Sequence, residues 1–157
     1  MNCLVLGGQG FIGTHLVDAL LLNGHKVRCF DRNNILSVRQ EHVSHENFEF
    51  IGGDLFSDVD IANAVSGCEI CFHLISTTVP STSNDDIFFD AESNILGTIR
   101  FLTHAVKEGL KKVVFLSSGG TVYGIPQEIP IKETHPTNPI CAYGISKLAI
   151  EKYFALF

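Results

Sequence analysis

The run Gly7-Gly8-Gln9-Gly10-Phe11-Ile12-Gly13 constrains this chain more than any other stretch. It follows the strand-like Asn2–Leu6 and opens a helical pattern from about Gly10 to Asn23. In that helix Leu16, Val17, Ala19 and Leu20 form the expected buried stripe, and Gly24 the expected stop. The run satisfies G-x-x-G-x-x-G from Gly7 and G-x-G-x-x-G from Gly8. Glycines at such spacing allow a tight turn, close approach of backbone to a pyrophosphate, and close packing of helix on strand. Asp31, about 20 residues further on at the end of the next strand, stands where an acidic residue holds an adenosine ribose hydroxyl. Arg32 follows and would suit a 2′-phosphate, but the Asp31 carboxylate repels one. NAD is therefore expected over NADP.

The rest of the chain alternates strand and helix. Short apolar runs at Lys26–Phe30, Phe48–Ile51, Ile70–Ile75 and Lys112–Leu116 read as strands buried on both faces of a parallel sheet. Helices are predicted at Val59–Val65, from about Asp86 to Glu108 with Gly109 closing it, and from about Ala142 to Phe157. In the long helix Phe88, Phe89, Ile95, Ile99, Leu102 and Val106 are expected to pack inward. The fold class is α/β, a Rossmann-type doubly wound parallel sheet, with residues 1–157 read as one NAD-binding domain.

Composition narrows the partners. Hydrophobic types make up 45% of the 157 residues, and no apolar stretch approaches the roughly 20 residues of a membrane span. No signal peptide precedes the first strand, so a cytoplasmic protein is expected. A net charge of -6 without a basic stripe argues against nucleic acid. Five cysteines read as reduced thiols, and Cys68-Glu69-Ile70-Cys71 as packing at the head of a strand, because no second C-x-x-C accompanies it. The histidines, among them His15, His42, His45, His73 and His135, show no metal-ligand spacing, and no metal is expected.

A second chemical motif is Tyr143-Gly144-Ile145-Ser146-Lys147. On a helix, positions i and i+4 share a face, so phenol and ammonium can enter one site. Bringing a phenol from a pKa of about 10 toward 7 takes about 4 kcal/mol of preferential stabilisation of phenolate, which a neighbouring ammonium helps supply.

Together, Gly7–Gly13, Asp31, Gly53-Asp54-Leu55, Ser117–Gly124 and Tyr143–Lys147 resemble the extended short-chain dehydrogenase/reductases, and more narrowly the NAD-dependent nucleotide-sugar epimerase/dehydratase family. The resemblance implies bound NAD and oxidation of a sugar hydroxyl. By matching position, it places Gly7, Gly10, Phe11, Ile12 and Gly13 on the pyrophosphate, Asp31 and Arg32 at the adenosine ribose, and Asp54 and Leu55 beside the adenine. It places Leu74, Ile75 and Ser76 along the cofactor, Asn94 and Ser117 near the nicotinamide half, and Tyr143 and Lys147 as base and ribose anchor. Dehydratases of this kind carry an Asp-Glu pair where Gly120 and Thr121 stand, and decarboxylases a Glu at Thr121, so the resemblance points to 4-epimerases acting on a UDP-sugar. The family's catalytic Ser or Thr falls on Gly119; Ser118 is the first replacement and Thr121 the second.

The resemblance also implies a homodimer through the long and the C-terminal helices. Relatives are longer, so the substrate lobe is expected to be missing from these residues. The alternatives are a nucleotide-sugar reductase or dehydrogenase, which would consume cofactor, and a non-catalytic NAD-binding module.

Overall fold

A computed structural model describes residues 1–33 and 39–157. They form two compact units, Met1–Ile75 with Arg100–Leu116, and Ser76–Ile99 with Ser117–Phe157.

The first unit holds a five-stranded sheet in the order β3-β2-β1-β4-β5: β1 Asn2–Leu6, β2 Lys26–Asp31, β3 Phe48–Gly52, β4 Ile70–His73 and β5 Lys112–Phe115. Every pairing is parallel, with Asn2 opposite Lys26 and Leu6 opposite His73. Three helices of this unit are α1 Phe11–Leu22, α2 Gln40–Val43 and α3 Asp58–Val65. Cys3, Leu4, Val5 and Leu6 of β1 are buried, as the central strand of a covered parallel sheet must be. Val17 and Leu21 of α1 pack with Val5 and Val27, flanked by half-buried Leu16 and Leu20. Ala19 is exposed, contrary to expectation, and the fully buried line runs Gly13-Val17-Leu21, sharing Val17 with the expected stripe. Gly24, at φ +74°, ends the helix; its N–H donates to the Leu21 carbonyl and that of His25 to Leu20.

At the rim the expectation of two-sided burial fails. Edge strand β5 leaves Val114 40% exposed, and Leu116 just beyond its end is 41% exposed. His42 is buried, and its Nε2 lies 2.5 Å from Asp18 on α1. Cys3, Cys29, Cys68 and Cys71 are buried free thiols, which agrees with packing roles for the Cys68–Cys71 pair. Burial pushes the Cys29 thiol up to about 12.

The second unit holds α4 Ile87–Asp90, a π-helical segment Ala91–Leu96, the first turn of α5 Gly97–Lys107, and α6 Ala142–Leu156. The residues of the expected long helix are thus divided among α4, a π-helical segment and α5. Ser93 and Asn94 are buried within it, while Ile87, Phe88, Phe89 and Leu96 are exposed, contrary to the packing expected for the phenylalanines. No described helix is long and apolar enough to cross a membrane.

Candidate functional site

In the sheet unit, the glycine run caps the carboxyl ends of β1, β2 and β4. Gly7 has φ +82°, a conformation L side chains rarely adopt, and its N–H donates to the Phe30 carbonyl. A Cβ on Gly13 would lie 2.3 Å from the Gly7 carbonyl oxygen and 2.7 Å from Gly8 Cα, so only glycine lets α1 close on the turn. A Cβ on Gly8 would strike the Cys29 sulfur at 2.5 Å. Gly10 is the N-cap of α1, without a side chain to cap it, and no acidic residue stands in the first turn. The N–H groups that open this helix therefore lack an intrahelical acceptor and carry the positive end of its dipole. This is the donor set of an anion site, and the side chains of Phe11 and Ile12 stand exposed beside it.

Asp31 is half-buried at the end of β2. One carboxylate oxygen accepts the Gln9 N–H at 2.9 Å and the other the Arg32 N–H at 2.8 Å. Each oxygen keeps a lone pair, so the carboxylate both braces the glycine turn and can accept two further hydroxyls. Arg32 is exposed. Asp54 is exposed, its N–H donating to Asp60 at 3.0 Å, and Leu55 is buried beside it. Leu74 and Ile75 follow β4 half-buried, with Ile75 N close against Gly7. β1 and β4 are the neighbours at which the strand order reverses, where open α/β sheets bind ligands.

In the helical unit, α6 carries Tyr143 and Lys147 on one face, with the ammonium 5.5 Å from the phenol ring centroid. Lys147 is only 4% exposed. Burial pushes its ammonium down to about 8, while the negative charge of Asp90 pulls the other way. A Cβ on Gly144 would meet the Thr121 carbonyl oxygen at 2.9 Å, so glycine here lets α6 press against the Ser118–Gly124 turn. In that turn the Ser118 carbonyl accepts from the N–H groups of Thr121 and Val122 and from the Thr121 hydroxyl at 3.3 Å. The Ser117 hydroxyl donates to Glu151. Among the described residues the Ser118 hydroxyl has no hydrogen-bond partner, which leaves it available to a ligand. A Cβ on Gly119 would meet nothing within 4 Å, so the hydroxyl expected there is absent by sequence and not by crowding.

Ser76 is exposed, its hydroxyl bonded to the Thr78 carbonyl. Asn94 is turned inward: its Oδ1 accepts the Thr77 N–H, and its amide donates to the Asp90 carbonyl at 3.0 Å. Asp90, Ser146 and Glu151 are polar partners of this region that sequence reasoning passed over. The signals were Asp90 at i−4 from Asn94 and Glu151 at i+4 from Lys147. Among the described residues no cluster of His, Cys, Asp and Glu is arranged to hold a metal.

Over residues 3–156 the sequence matches the NAD dependent epimerase/dehydratase family. The UDP-glucose 4-epimerase of Mycolicibacterium smegmatis is 40% identical over 163 residues, which take in 100% of this chain and 51% of that protein. The structure of UDP-glucose 4-epimerase from Thermotoga maritima with UDP-glucose superposes with a TM-score of 0.88 at 32% identity, covering 99% of this chain and 50% of that one. The Thermus thermophilus UDP-glucose 4-epimerase in complex with NAD gives 0.87 at 30% identity, with coverage of 99% and 50%. The chain spans about half the length of the curated relatives it matches. A match over nearly every residue, on a parallel sheet with a glycine turn at its switch point, means that the chain belongs to the NAD dependent epimerase/dehydratase family.

Proposed function

We propose that this chain is the NAD-binding half of a nucleotide-sugar 4-epimerase and that it carries the enzyme's proton-transfer residues. The observation that carries the reading is the buried Lys147 against the ring of Tyr143, in a chain that also builds the uncapped glycine turn with Asp31 behind it. The first-turn N–H groups at Phe11 and Ile12 hold the pyrophosphate, with Gly7, Gly10 and Gly13 giving it room. Asp31 accepts the adenosine ribose hydroxyls, Arg32 borders them, and Asp54 and Leu55 flank the adenine. Leu74, Ile75 and Ser76 line the cofactor, and Asn94 and Ser117 hold the segments next to its nicotinamide end.

When bound, NAD supplies a hydride acceptor that later returns the hydride. The protein's part is proton transfer and orientation. Tyr143, as phenolate beside the Lys147 ammonium, takes the proton of the sugar 4-hydroxyl and gives it back after the keto sugar has turned over. Ser118 hydrogen-bonds the same oxygen, and Lys147 also anchors the nicotinamide ribose. Gly120 and Thr121 offer no carboxylate for eliminating water, which supports epimerisation over dehydration.

The exposed Ile87 and Phe88 of α4, Leu96 of the π-helical segment and Ile145 of α6 support a homodimer through these helices. The reduced, buried thiols support a cytoplasmic protein.

The reading is tested in the full-length protein that contains these residues, with UDP-glucose and UDP-galactose as substrates. Tyr143→Phe should lower turnover by about 10²–10⁴-fold while leaving NAD affinity nearly unchanged. Retention of more than about a tenth of the rate would remove Tyr143 as the base. Stoichiometric consumption of added cofactor would instead mark a reductase or dehydrogenase.

A further inference from the structure

Asp90 closes α4 where the π-helical segment begins, and it is only 1% exposed. A carboxylate so placed must be met by donors or by a counter-charge. One oxygen accepts the hydroxyl of Thr78 and, at 3.2 Å, the amide of Asn94; the other accepts the hydroxyl of Ser146. The donors come from the loop after Ile75, from the π segment and from α6, so a single carboxylate ties three segments together. All three are neutral. They orient the carboxylate and leave its charge to a cation.

The residue after Ser146 is Lys147, itself buried. Charged or titratable groups along this part of α6 and the π segment are Tyr143 one turn before Lys147, Glu151 one turn after it, Asp90, and the exposed Glu92. Glu151 is engaged by Ser117. Asp90 is the group whose field offsets the cost of burying the Lys147 ammonium. We propose that Asp90 is a positioning residue for Lys147, fixing the rotation of α6 through Ser146 and supplying the ammonium's counter-charge beside Tyr143. The proposal rests on the roles given above to Tyr143 and Lys147.

The test reads Lys147 directly. Protein labelled with ¹³C at lysine Cε is titrated by NMR, with the Lys147 signal assigned by loss in Lys147→Arg. In the unmodified chain the midpoint should lie near 8. In Asp90→Asn, which keeps the shape and removes the charge, it should fall by about one unit or more. In Ser146→Ala, which removes a hydrogen bond but keeps the charge, it should stay within about 0.3 unit. An unchanged midpoint in Asp90→Asn, or an equal fall in Ser146→Ala, overturns the proposal. Should Asp90→Asn fail to fold, Asp90→Asn/Lys147→Met must recover a cooperative melt, because neither charge is then buried alone. A double variant as unfolded as the single one counts against a charge role. Calorimetric titration of NAD into the same samples separates the two ideas: loss of cofactor binding by the unmodified chain overturns the assigned site, whereas the Lys147 midpoint decides Asp90.

Discussion

A buried ammonium leaves a signature in the pH dependence of stability. Burial holds Lys147 near 8, below its ordinary 10.5. Between those values the unfolded chain binds more protons than the folded one, so this residue makes stability rise as pH increases. Cys29 acts in the opposite sense higher up: its thiol, pushed up to about 12, contributes stability that is lost as pH rises from 9 toward that value. The clean window is therefore pH 7 to 9. Across it, urea unfolding should show the unmodified chain gaining about 1 kcal/mol relative to Lys147→Met. Equal slopes for the two proteins would mean that Lys147 is solvated. At this scale the sequence disclosed Tyr143 and Lys147 because helical spacing alone puts them on one face. It did not disclose Asp90, because an aspartate followed by Ala91-Glu92-Ser93 reads as surface charge. Its burial comes from Thr78 and Ser146, distant in sequence and brought near only by folding.

Among the elements, the β1–α1 junction was the most legible, since each glycine there answers a steric demand that motif spacing already encodes. Gly13→Ala tests that demand, because its Cβ would overlap the Gly7 carbonyl. It should cost about 1–3 kcal/mol in unfolding free energy and reduce NAD affinity at least tenfold. Gly120→Ala, where a Cβ meets open space, should change stability by less than about 0.5 kcal/mol. Equal effects of the two substitutions in thermal melts and NAD titrations would remove the packing argument. The π segment was illegible. Apolar periodicity over residues 86–108 fits a regular helix, and one extra residue in a turn does not erase it. Yet that turn is where buried Ser93 and Asn94 lie, next to Asp90. The phenylalanines misled for a related reason: Phe88 looks like core by composition but is 76% exposed.

For the whole molecule, fold class was readable because alternating strands and helices leave few arrangements other than a parallel, doubly wound sheet. The division into two compact units was not, since the chain leaves the sheet unit after Ile75, returns at Arg100, and leaves again at Ser117. Two consequences belong to this scale. Sedimentation should find these 157 residues self-associating, with Phe88→Glu shifting them toward monomer; a wholly monomeric unmodified chain would contradict the proposed helical interface. The same chain should bind NAD yet leave UDP-sugars unchanged, since it spans about half the length of its relatives. The most direct measurement is calorimetric titration of the 157-residue chain with NAD and with NADP, repeated on Asp31→Ala. The cofactor assignment requires that NAD bind, that NADP bind more weakly because its 2′-phosphate meets the Asp31 carboxylate, and that Asp31→Ala erase the difference. Absence of NAD binding, or tighter binding of NADP to the unmodified chain, would contradict it.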